Sequence, residues 1–290
     1  MNGESKTSMA LAFIIAHLFE MDTVVLPPTK TLAAEASVGV GTMAKALTIL
    51  QQSRAIKLQA IQRYGTTIEW VDYVKLWTLG KFRPLRGIFP MPLSLSIQAL
   101  EYTLTKAIEG IGMAMVTSYR EGAMRRLSVI NDERSADFTI MSDYAANTLQ
   151  VKHVRYRFGP GSYYGHMGIY KLLPMRQRVI HKVGVDEMSP DHKAMTLAEF
   201  PGAEVVSVPF RLLPRQIIRG EVDATVWYGG TAVPVEYINH LRSEPALSKQ
   251  SVEIAQAAAV LVVNPENPAF KVISLLDVSQ MIQEYQEFTS

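Results

Sequence analysis

The chain has 290 residues, of which 48% are hydrophobic and 19% are charged, and its formal net charge at pH 7 is +2. This length suits two domains, and the apolar content excludes a disordered chain because it is sufficient to build packed cores. The charge is too small to identify a nucleic-acid partner. The absence of cysteine excludes disulfides, thiolate metal sites and cysteine nucleophiles, and it is typical of a reducing compartment.

The first element is predicted as an amphipathic helix over Thr7–Met21, where apolar residues recur three and four positions apart. Its uninterrupted apolar part is about half of the ~20 residues that a membrane span needs. Glu20 and Asp22 stand where a signal peptide would carry small residues at a cleavage site. We therefore expect a cytoplasmic protein with no membrane partner.

The next elements are predicted as two helices and a hairpin. The helices cover residues 29–36 and 42–53, and the strands cover residues 56–60 and 66–73. Thr29 is expected to cap the first of these helices and Thr42 to open the second. A glycine-containing turn joins the helices, and residues 61–65 form the polar tip of the hairpin.

After a connector over residues 75–84, strand and helix patterns alternate. The predicted strands cover residues 86–89, 112–117, 137–141, 181–185, 204–208 and 223–227. A further long strand is predicted over residues 254–263 and a closing helix over 269–288. This alternation indicates an α/β domain with parallel strands. The expected domains are therefore residues 1–78 and 84–290, in a chain that is α/β overall.

Residues 26–68 resemble the GntR-type winged helix-turn-helix. The matching positions are Leu26-Pro27, Leu32-Ala33-Ala34-Glu35, Ser37-Val38, Thr42, Ala46-Leu47, Ile56-Lys57-Leu58 and Gly65-Thr66. The resemblance implies that residues 1–78 bind double-stranded DNA, with a recognition helix that enters the major groove by its N-terminal end. Gly39-Val40 and Ala44 depart from the arginines that many relatives carry, which places base-specific contacts at these positions in question.

Basic and short polar side chains of this segment are the candidate DNA contacts. They are Lys30, Thr31, Thr42, Lys45, Arg54, Lys57, Gln62, Arg63, Tyr64 and Thr66. Between residues 30 and 63 there are five basic residues and one acidic residue, a local charge of +4 that suits a phosphate backbone. The alternative interpretation is that these residues form an ordinary solvated face.

The region from about residue 83 to the end resembles the ligand-binding domain of type 2 periplasmic-binding-protein folds. Joined to the winged helix, it resembles the YhfZ family of predicted transcriptional regulators. The resemblance implies two α/β lobes that hold a small ligand between them, with strand ends and helix starts as donors.

Polar residues after strands and in the glycine-containing segment 157–164 are the candidate ligand contacts. They are Ser94, Ser96, Ser118, Ser142, Asp143, Gly161, Ser162, Tyr163, Ser189 and Tyr228. Hydroxyls and backbone N–H groups there favour a carboxylate or phosphate. Ordinary helix capping is the alternative for Ser94 and Ser96, and an ordinary strand end is the alternative for the clusters at Ser118 and Ser142.

The sequence thus predicts a ligand-responsive transcriptional regulator that senses a small polar or anionic metabolite. A homodimer is expected because one recognition helix reads too few base pairs to select a genomic site. No metal-ligand cluster, catalytic triad spacing or glycine-rich cofactor fingerprint is present, so we expect no metal, no cofactor and no enzyme activity. The alternative is an enzyme or small-molecule-binding protein on the same two-lobed scaffold with an accessory N-terminal domain.

Overall fold

A computed structural model describes residues 5–61, 65–165, 168–176, 179–228 and 233–290. Of the predicted DNA contacts, Gln62, Arg63 and Tyr64 lie outside these residues. The chain divides into two compact units, each assembled from separate segments. The first unit comprises Met1–Pro84, Ile111–Met113 and Pro265–Leu275, and the second comprises Leu85–Gly110, Ala114–Asn264 and Leu276–Ser290.

The α-helices, in chain order, are α1 (Lys6–Glu20), α2 (Thr29–Glu35), α3 (Val40–Gln52), α4 (Tyr73–Leu79), α5 (Leu95–Gly110), α6 (Ala123–Asn131), α7 (Asp143–Thr148), α8 (Pro190–Glu199), α9 (Leu213–Arg219), α10 (Lys249–Ala255), α11 (Ala269–Ile273) and α12 (Val278–Thr289). The strands are β1 (Val25–Leu26), β2 (Ile56–Ile61), β3 (Gly65–Val71), β4 (Leu85–Phe89), β5 (Met115–Tyr119), β6 (Phe138–Ser142), β7 (Val154–Arg157), β8 (Ile169–Pro174), β9 (Lys182–Val185), β10 (Glu204–Ser207), β11 (Thr225–Tyr228), β12 (Leu241–Pro245) and β13 (Ala259–Val263). Within the described residues, no helix combines the length and the apolar character that a membrane span requires.

In the first unit, α1 and α2 pack against α3, and the strands form an antiparallel sheet in the order β1-β3-β2. Apolar side chains on one face of each helix make the core: Ile14, Ile15, Leu18, Leu32, Met43, Ala46, Leu47 and Leu50. The three predicted helices and both hairpin strands of this segment are confirmed, with ends that differ by one or two residues.

Two helix starts of this unit differ from the prediction. The residue that caps α2 is Pro28, so Thr29 is the first helical residue and not the cap. The α3 helix begins at Val40 with Gly39 as its cap, which places Thr42 inside its first turn. At neither helix start does a side chain accept a hydrogen bond from the helix N–H groups. A sequence search for polar N-cap residues therefore misses both starts.

The predicted connector over residues 75–84 is wrong for its first half, which is part of helix α4. Asp72 caps this helix by accepting the Lys75 N–H at 2.9 Å. Trp77 is buried against Phe19 and Phe82, and its indole N–H donates to the Arg83 carbonyl at 2.9 Å. A helix of seven residues is too short to show a clear hydrophobic period, so it is recognised only in the folded structure.

The second unit contains a five-stranded sheet in the order β5-β4-β6-β13-β7 and two smaller sheets, β11-β8-β12 and β10-β9. Strand β4 runs parallel to β5 and β6, whereas β13 runs antiparallel to β6 and β7. In the sheet β11-β8-β12, both outer strands run antiparallel to β8. In the sheet β10-β9, the two strands run parallel. The prediction of parallel strands therefore holds for part of the unit only, and the observed fold is α/β with mixed sheets.

Two elements that were predicted as continuous, the strand over residues 254–263 and the helix over residues 269–288, are each divided in the structure. The predicted strand over residues 254–263 is the end of α10 followed by β13, and Ser248 caps α10 by accepting the Ser251 N–H at 3.1 Å. The predicted closing helix is divided into α11 and α12. Asp277 starts α12 by accepting the N–H groups of Ser279 and Gln280 at 2.9 and 3.2 Å.

Candidate functional site

The second unit contains a cavity with about 690 Å³ of empty space, a figure that includes its open mouth. A cavity of this size suits a small molecule. Its apolar wall consists of Pro90, Met91, Leu93, Ile97 and Phe210. Its polar wall consists of Ser94, Glu121, Arg126, Tyr163, Tyr164, Asp186, Ser189 and Tyr228.

Three helix N-termini border this cavity. Ser94 precedes α5 and accepts the Ile97 N–H at 3.4 Å, Gly122 is the cap of α6, and Ser189 is the cap of α8. The first N–H groups of a helix have no partner within the helix and carry a partial positive charge. Their convergence favours a negatively charged group in the cavity.

The start of α6 requires glycine. Gly122 has φ +81°, and a Cβ at this position would lie 2.6 Å from the Met188 Cβ and 3.0 Å from the Met188 carbonyl oxygen. The same carbonyl accepts the Met124 N–H at 3.1 Å. The first turn of α6, whose Gly122 lines the cavity, is thereby held against the segment that precedes α8.

Arg126 places a buried cation in the cavity wall. Only 2% of its surface is exposed. Its Nη1 donates to the Arg120 carbonyl at 2.9 Å and its Nη2 to the Tyr163 hydroxyl at 3.3 Å. Within the described residues, its Nε has no hydrogen-bond partner and the guanidinium forms no ion pair. A buried and incompletely bonded cation is costly, so an anion that enters the cavity would be stabilised there.

The cavity also contains two carboxyl groups. Asp186 is 3% exposed, and its Oδ1 accepts the Met188 N–H at 3.0 Å. Burial raises the pKa of the Glu121 carboxyl, with the nearby Arg211 acting in the opposite direction. The wall therefore carries both signs of charge.

Four aromatic rings form a continuous surface, which we call the aromatic wall: Tyr163, Tyr164, Tyr228 and Phe210. Tyr163 meets Tyr164 edge to face, and Phe210 stacks on Tyr228, with 4.9 Å between the ring centroids in each pair. The Tyr164 hydroxyl donates to Asp191 Oδ2 at 2.6 Å, and burial raises the pKa of that carboxyl group. The aromatic wall lines the cavity and keeps at least this hydroxyl bonded inside the protein.

Four of the ten predicted ligand contacts line the cavity, namely Ser94, Tyr163, Ser189 and Tyr228. The other six do not reach its wall. Their partners are inside the fold: Ser118 donates to the Gly87 carbonyl, Ser142 accepts the Ala145 N–H, Asp143 pairs with Arg157, the Gly161 N–H donates to the Gln256 carbonyl, Ser162 accepts the Ala259 N–H, and Ser96 is buried. Four of these polar groups bond to backbone groups nearby in the fold and Asp143 bonds to a side chain, uses that sequence reasoning does not distinguish from ligand binding.

Arg126, Asp186 and Glu121 were missed by the sequence analysis. One signal was present, because Arg126 lies on the same face of α6 as the buried residues Ala123, Val129 and Ile130. A charged residue at a core position of an amphipathic helix is rare without a partner or a function.

In the first unit, the predicted DNA contacts Lys30, Thr31, Lys45, Arg54 and Lys57 are exposed, and Thr42 and Thr66 are half-buried. Lys57 Nζ lies 2.8 Å from Glu69 Oε1, so part of its charge is neutralised by this neighbour. These assignments stay predictions. Among the described residues, no group of three or more histidine and acidic side chains is arranged to hold a metal ion.

The second unit thus defines an α/β protein with mixed sheets and a polar cavity of small-molecule size. The chain belongs to the family of the YhfZ C-terminal domain, whose sequence profile matches residues 72–288. It is 26% identical over 203 residues to the uncharacterized protein YhfZ of Escherichia coli (strain K12). That alignment covers 68% of this chain and 65% of the relative, so the chain spans slightly less than two thirds of the relative's length.

Three solved structures are also similar. YhfZ from Shigella flexneri is 21% identical, with 71% of this chain and 96% of that chain covered and a TM-score of 0.43. A full-length OxyR variant from Pseudomonas aeruginosa is 10% identical, with 99% and 96% covered and a TM-score of 0.44. The alkanesulfonate-binding protein SsuA from Xanthomonas axonopodis pv. citri is 11% identical, with 71% and 72% covered and a TM-score of 0.49.

Proposed function

We propose that the chain is a ligand-responsive transcriptional regulator that works as a homodimer in the cytoplasm. Residues 1–78 act as a winged helix-turn-helix that binds double-stranded DNA, and residues 84–290 act as a two-lobed sensor of a small polar or anionic metabolite. The observation that carries the proposal is the cavity with Arg126 buried and incompletely bonded in its wall. The proposal assigns binding to this cavity and no catalytic step.

The element order of the first unit supports the DNA-binding part. Helices α2 and α3 are joined by a tight turn, and the antiparallel strands β2 and β3 follow as a hairpin. This is the order of a winged helix, in which the second of the two helices enters the major groove. No side chain caps the N-terminus of α3, whose positive dipole end suits a phosphate, and Lys45 is exposed one turn further on.

Ligand binding and DNA binding are linked through two arrangements of the sensor domain, whose relative stability the ligand changes. A ligand that binds one arrangement of the sensor more tightly than another shifts the population toward that arrangement. If the arrangement changes the spacing of the two DNA-binding units in the dimer, ligand occupancy changes DNA affinity by the same coupling free energy.

The DNA-binding part is tested with Lys45→Ala in a mobility-shift assay on genomic fragments at several salt concentrations. Loss of one phosphate contact should weaken binding and reduce the slope of log K against log salt by about 1. The matched control is Lys249→Ala, which removes the same charge from an exposed side chain of the second unit. The proposal fails if the wild-type protein shows no salt-dependent binding, or if the control loses as much affinity as Lys45→Ala.

A further inference from the structure

Strand β5 has an open outer edge. It pairs on one side with β4, and no strand of the described residues pairs with its other side. The Leu85 N–H donates to the Ala114 carbonyl at 3.0 Å, and the Arg120 N–H donates to the Phe89 carbonyl at 2.9 Å. Backbone groups alternate in direction along a strand, so the even-numbered residues of β5 face β4. The residues whose N–H and C=O groups point to the open edge are therefore Met115, Thr117 and Tyr119.

This edge lacks the features that usually prevent a strand from pairing with another chain. Proteins commonly protect open edges with charged side chains, proline or bulges. Strand β5 contains no charged residue and no proline, and its register against β4 is regular over all five residues. The opposite edge of the same sheet, β7, carries Arg155 and Arg157 and has an irregular register against β13. The contrast indicates that β5 has a partner strand.

Apolar side chains are exposed along this edge and on the helix beside it. Val116 is 53% exposed, and the exposed Tyr119 donates its hydroxyl to Glu101 Oε1 of α5 at 2.6 Å. The next residue of α5, Tyr102, is 43% exposed and packs against Phe288 with 5.1 Å between the ring centroids. A stable interface buries about 1,600 Å² in total, which is more than one pair of short strands supplies. The surface that extends from β5 onto α5 offers the additional area.

A second copy of the same strand is complementary to this edge. Two identical strands pair antiparallel about a two-fold axis, which gives a closed dimer. With the axis at Thr117, Met115 lies opposite Tyr119 of the second copy, and both have outward backbone groups. Val116 lies opposite Ser118, and no pair brings like charges together.

We propose that β5 pairs antiparallel with β5 of a second copy of the chain, centred on Thr117, so that two five-stranded sheets join into one. This contact is the dimer interface of the second unit. The inference deepens the proposed function and rests on its homodimer for the biological role. A strand of a different protein at this edge would leave the purified chain monomeric.

The first test is the mass of the full chain by light scattering and sedimentation equilibrium. The wild-type protein should have twice the 32.3 kDa of one chain. Val116→Lys places a charge on the edge and should weaken the dimer about 10-fold or more. Thr117→Pro removes an outward N–H without removing a bond to β4, and it should weaken the dimer as well. The matched control is Val154→Lys on the opposite edge strand, which should remain a dimer; melting curves confirm that each variant is folded.

The second test is disulfide cross-linking, which reports the register. The chain has no cysteine, so one introduced cysteine forms a disulfide only between two copies. Thr117→Cys places two cysteines opposite each other at a Cα separation of about 5.5 Å, within the range of a disulfide. Val116→Cys places them on a diagonal of about 7–8 Å, too far for ready bridging. Mild oxidation should therefore give a covalent dimer on a non-reducing gel for Thr117→Cys, and much less for Val116→Cys and Val154→Cys.

The outcomes distinguish this inference from the proposed function. A dimer that survives both edge substitutions overturns the inference and leaves a homodimeric regulator intact, and so does cross-linking of Val154→Cys as readily as Thr117→Cys. A monomeric wild-type protein overturns the interface and the homodimer together. A monomeric Val116→Lys variant that binds DNA as tightly as the wild-type protein supports the interface and contradicts the need for a dimer in DNA binding.

Discussion

Arg126 occupies a position in α6 where the neighbouring buried residues are apolar. Replacing it by an apolar side chain of similar size removes an incompletely bonded buried charge and should raise the stability of the ligand-free protein. A more stable apolar variant would show that the arginine is kept for a reason other than stability. In this cavity the reason we assign is the recognition of a negatively charged ligand group.

His192 is the residue for which the structure predicts a clear pH dependence. Its Nδ1 accepts the Asp186 N–H at 3.0 Å, and its Nε2 faces the Val226 carbonyl at 3.1 Å, which fits a neutral imidazole protonated at Nε2. Burial lowers the pKa of His192 to about 4, from an unfolded value near 6.5. The unfolded chain therefore takes up a proton at a higher pH than the folded chain does.

The stability that His192 contributes is present in full above about pH 6.5 and is lost as the pH falls toward 4, by about 3 kcal/mol in total. The measurement is the free energy of urea unfolding between about pH 7 and about pH 4.5. His192→Asn retains an acceptor for the Asp186 N–H and does not titrate, so its stability should fall less over this range. Because the raised pKa of Asp191 acts in the opposite direction in both proteins, the difference between them isolates the histidine. Equal slopes would contradict the assignment.

At the scale of elements, the start of α6 is the most constrained point of the cavity. Gly122→Ala should destabilise the protein by about 2–4 kcal/mol, because the new Cβ meets Met188 and because φ +81° is unfavourable for alanine. The same substitution should weaken ligand binding, since the first turn of α6 would move.

A matched control exists for this prediction. Gly202 has φ +83° and open space around its missing Cβ, so Gly202→Ala carries the backbone strain without the clash and should cost only about 1 kcal/mol. Urea unfolding of both variants gives the comparison. Equal costs would show that the contact with Met188 relaxes without penalty.

At the scale of the whole molecule, the proposed function requires two copies of the chain. One short recognition helix and one wing contact too few base pairs to select a genomic site, so we expect a homodimer and a pseudo-palindromic operator. Light scattering should give a mass of twice the 32.3 kDa of one chain. Footprinting should show two half-sites about one helical turn apart, or a multiple of that spacing. A strict monomer, both free and bound to DNA, would contradict this prediction.

The amino-acid sequence by itself determined most helices and strands of the first unit, and the family. The apolar residues of α1 and α3 recur with the helical period, and those of β2 and β3 are flanked by turn residues, so these elements were predicted close to their observed ends. Such patterns are local, because one buried face must repeat at the period of its own helix or strand. The polar start of α12 was missed because the apolar pattern of the predicted closing helix continues past Asp277.

Only the tertiary structure decided the strand pairing and the cavity. Strand β13 lies between β6 and β7 and antiparallel to both, a pairing that depends on residues more than a hundred positions apart and on no local pattern. In the same way, Arg126, Tyr163, Asp186 and Tyr228 come from separate segments and meet only when the sheets and helices of the second unit have packed. The sequence pointed to Tyr163 and Tyr228 singly, but no local pattern joins them to Arg126 and Asp186. Their shared environment, in which burial makes an unpaired charge costly, is a property of the folded chain alone.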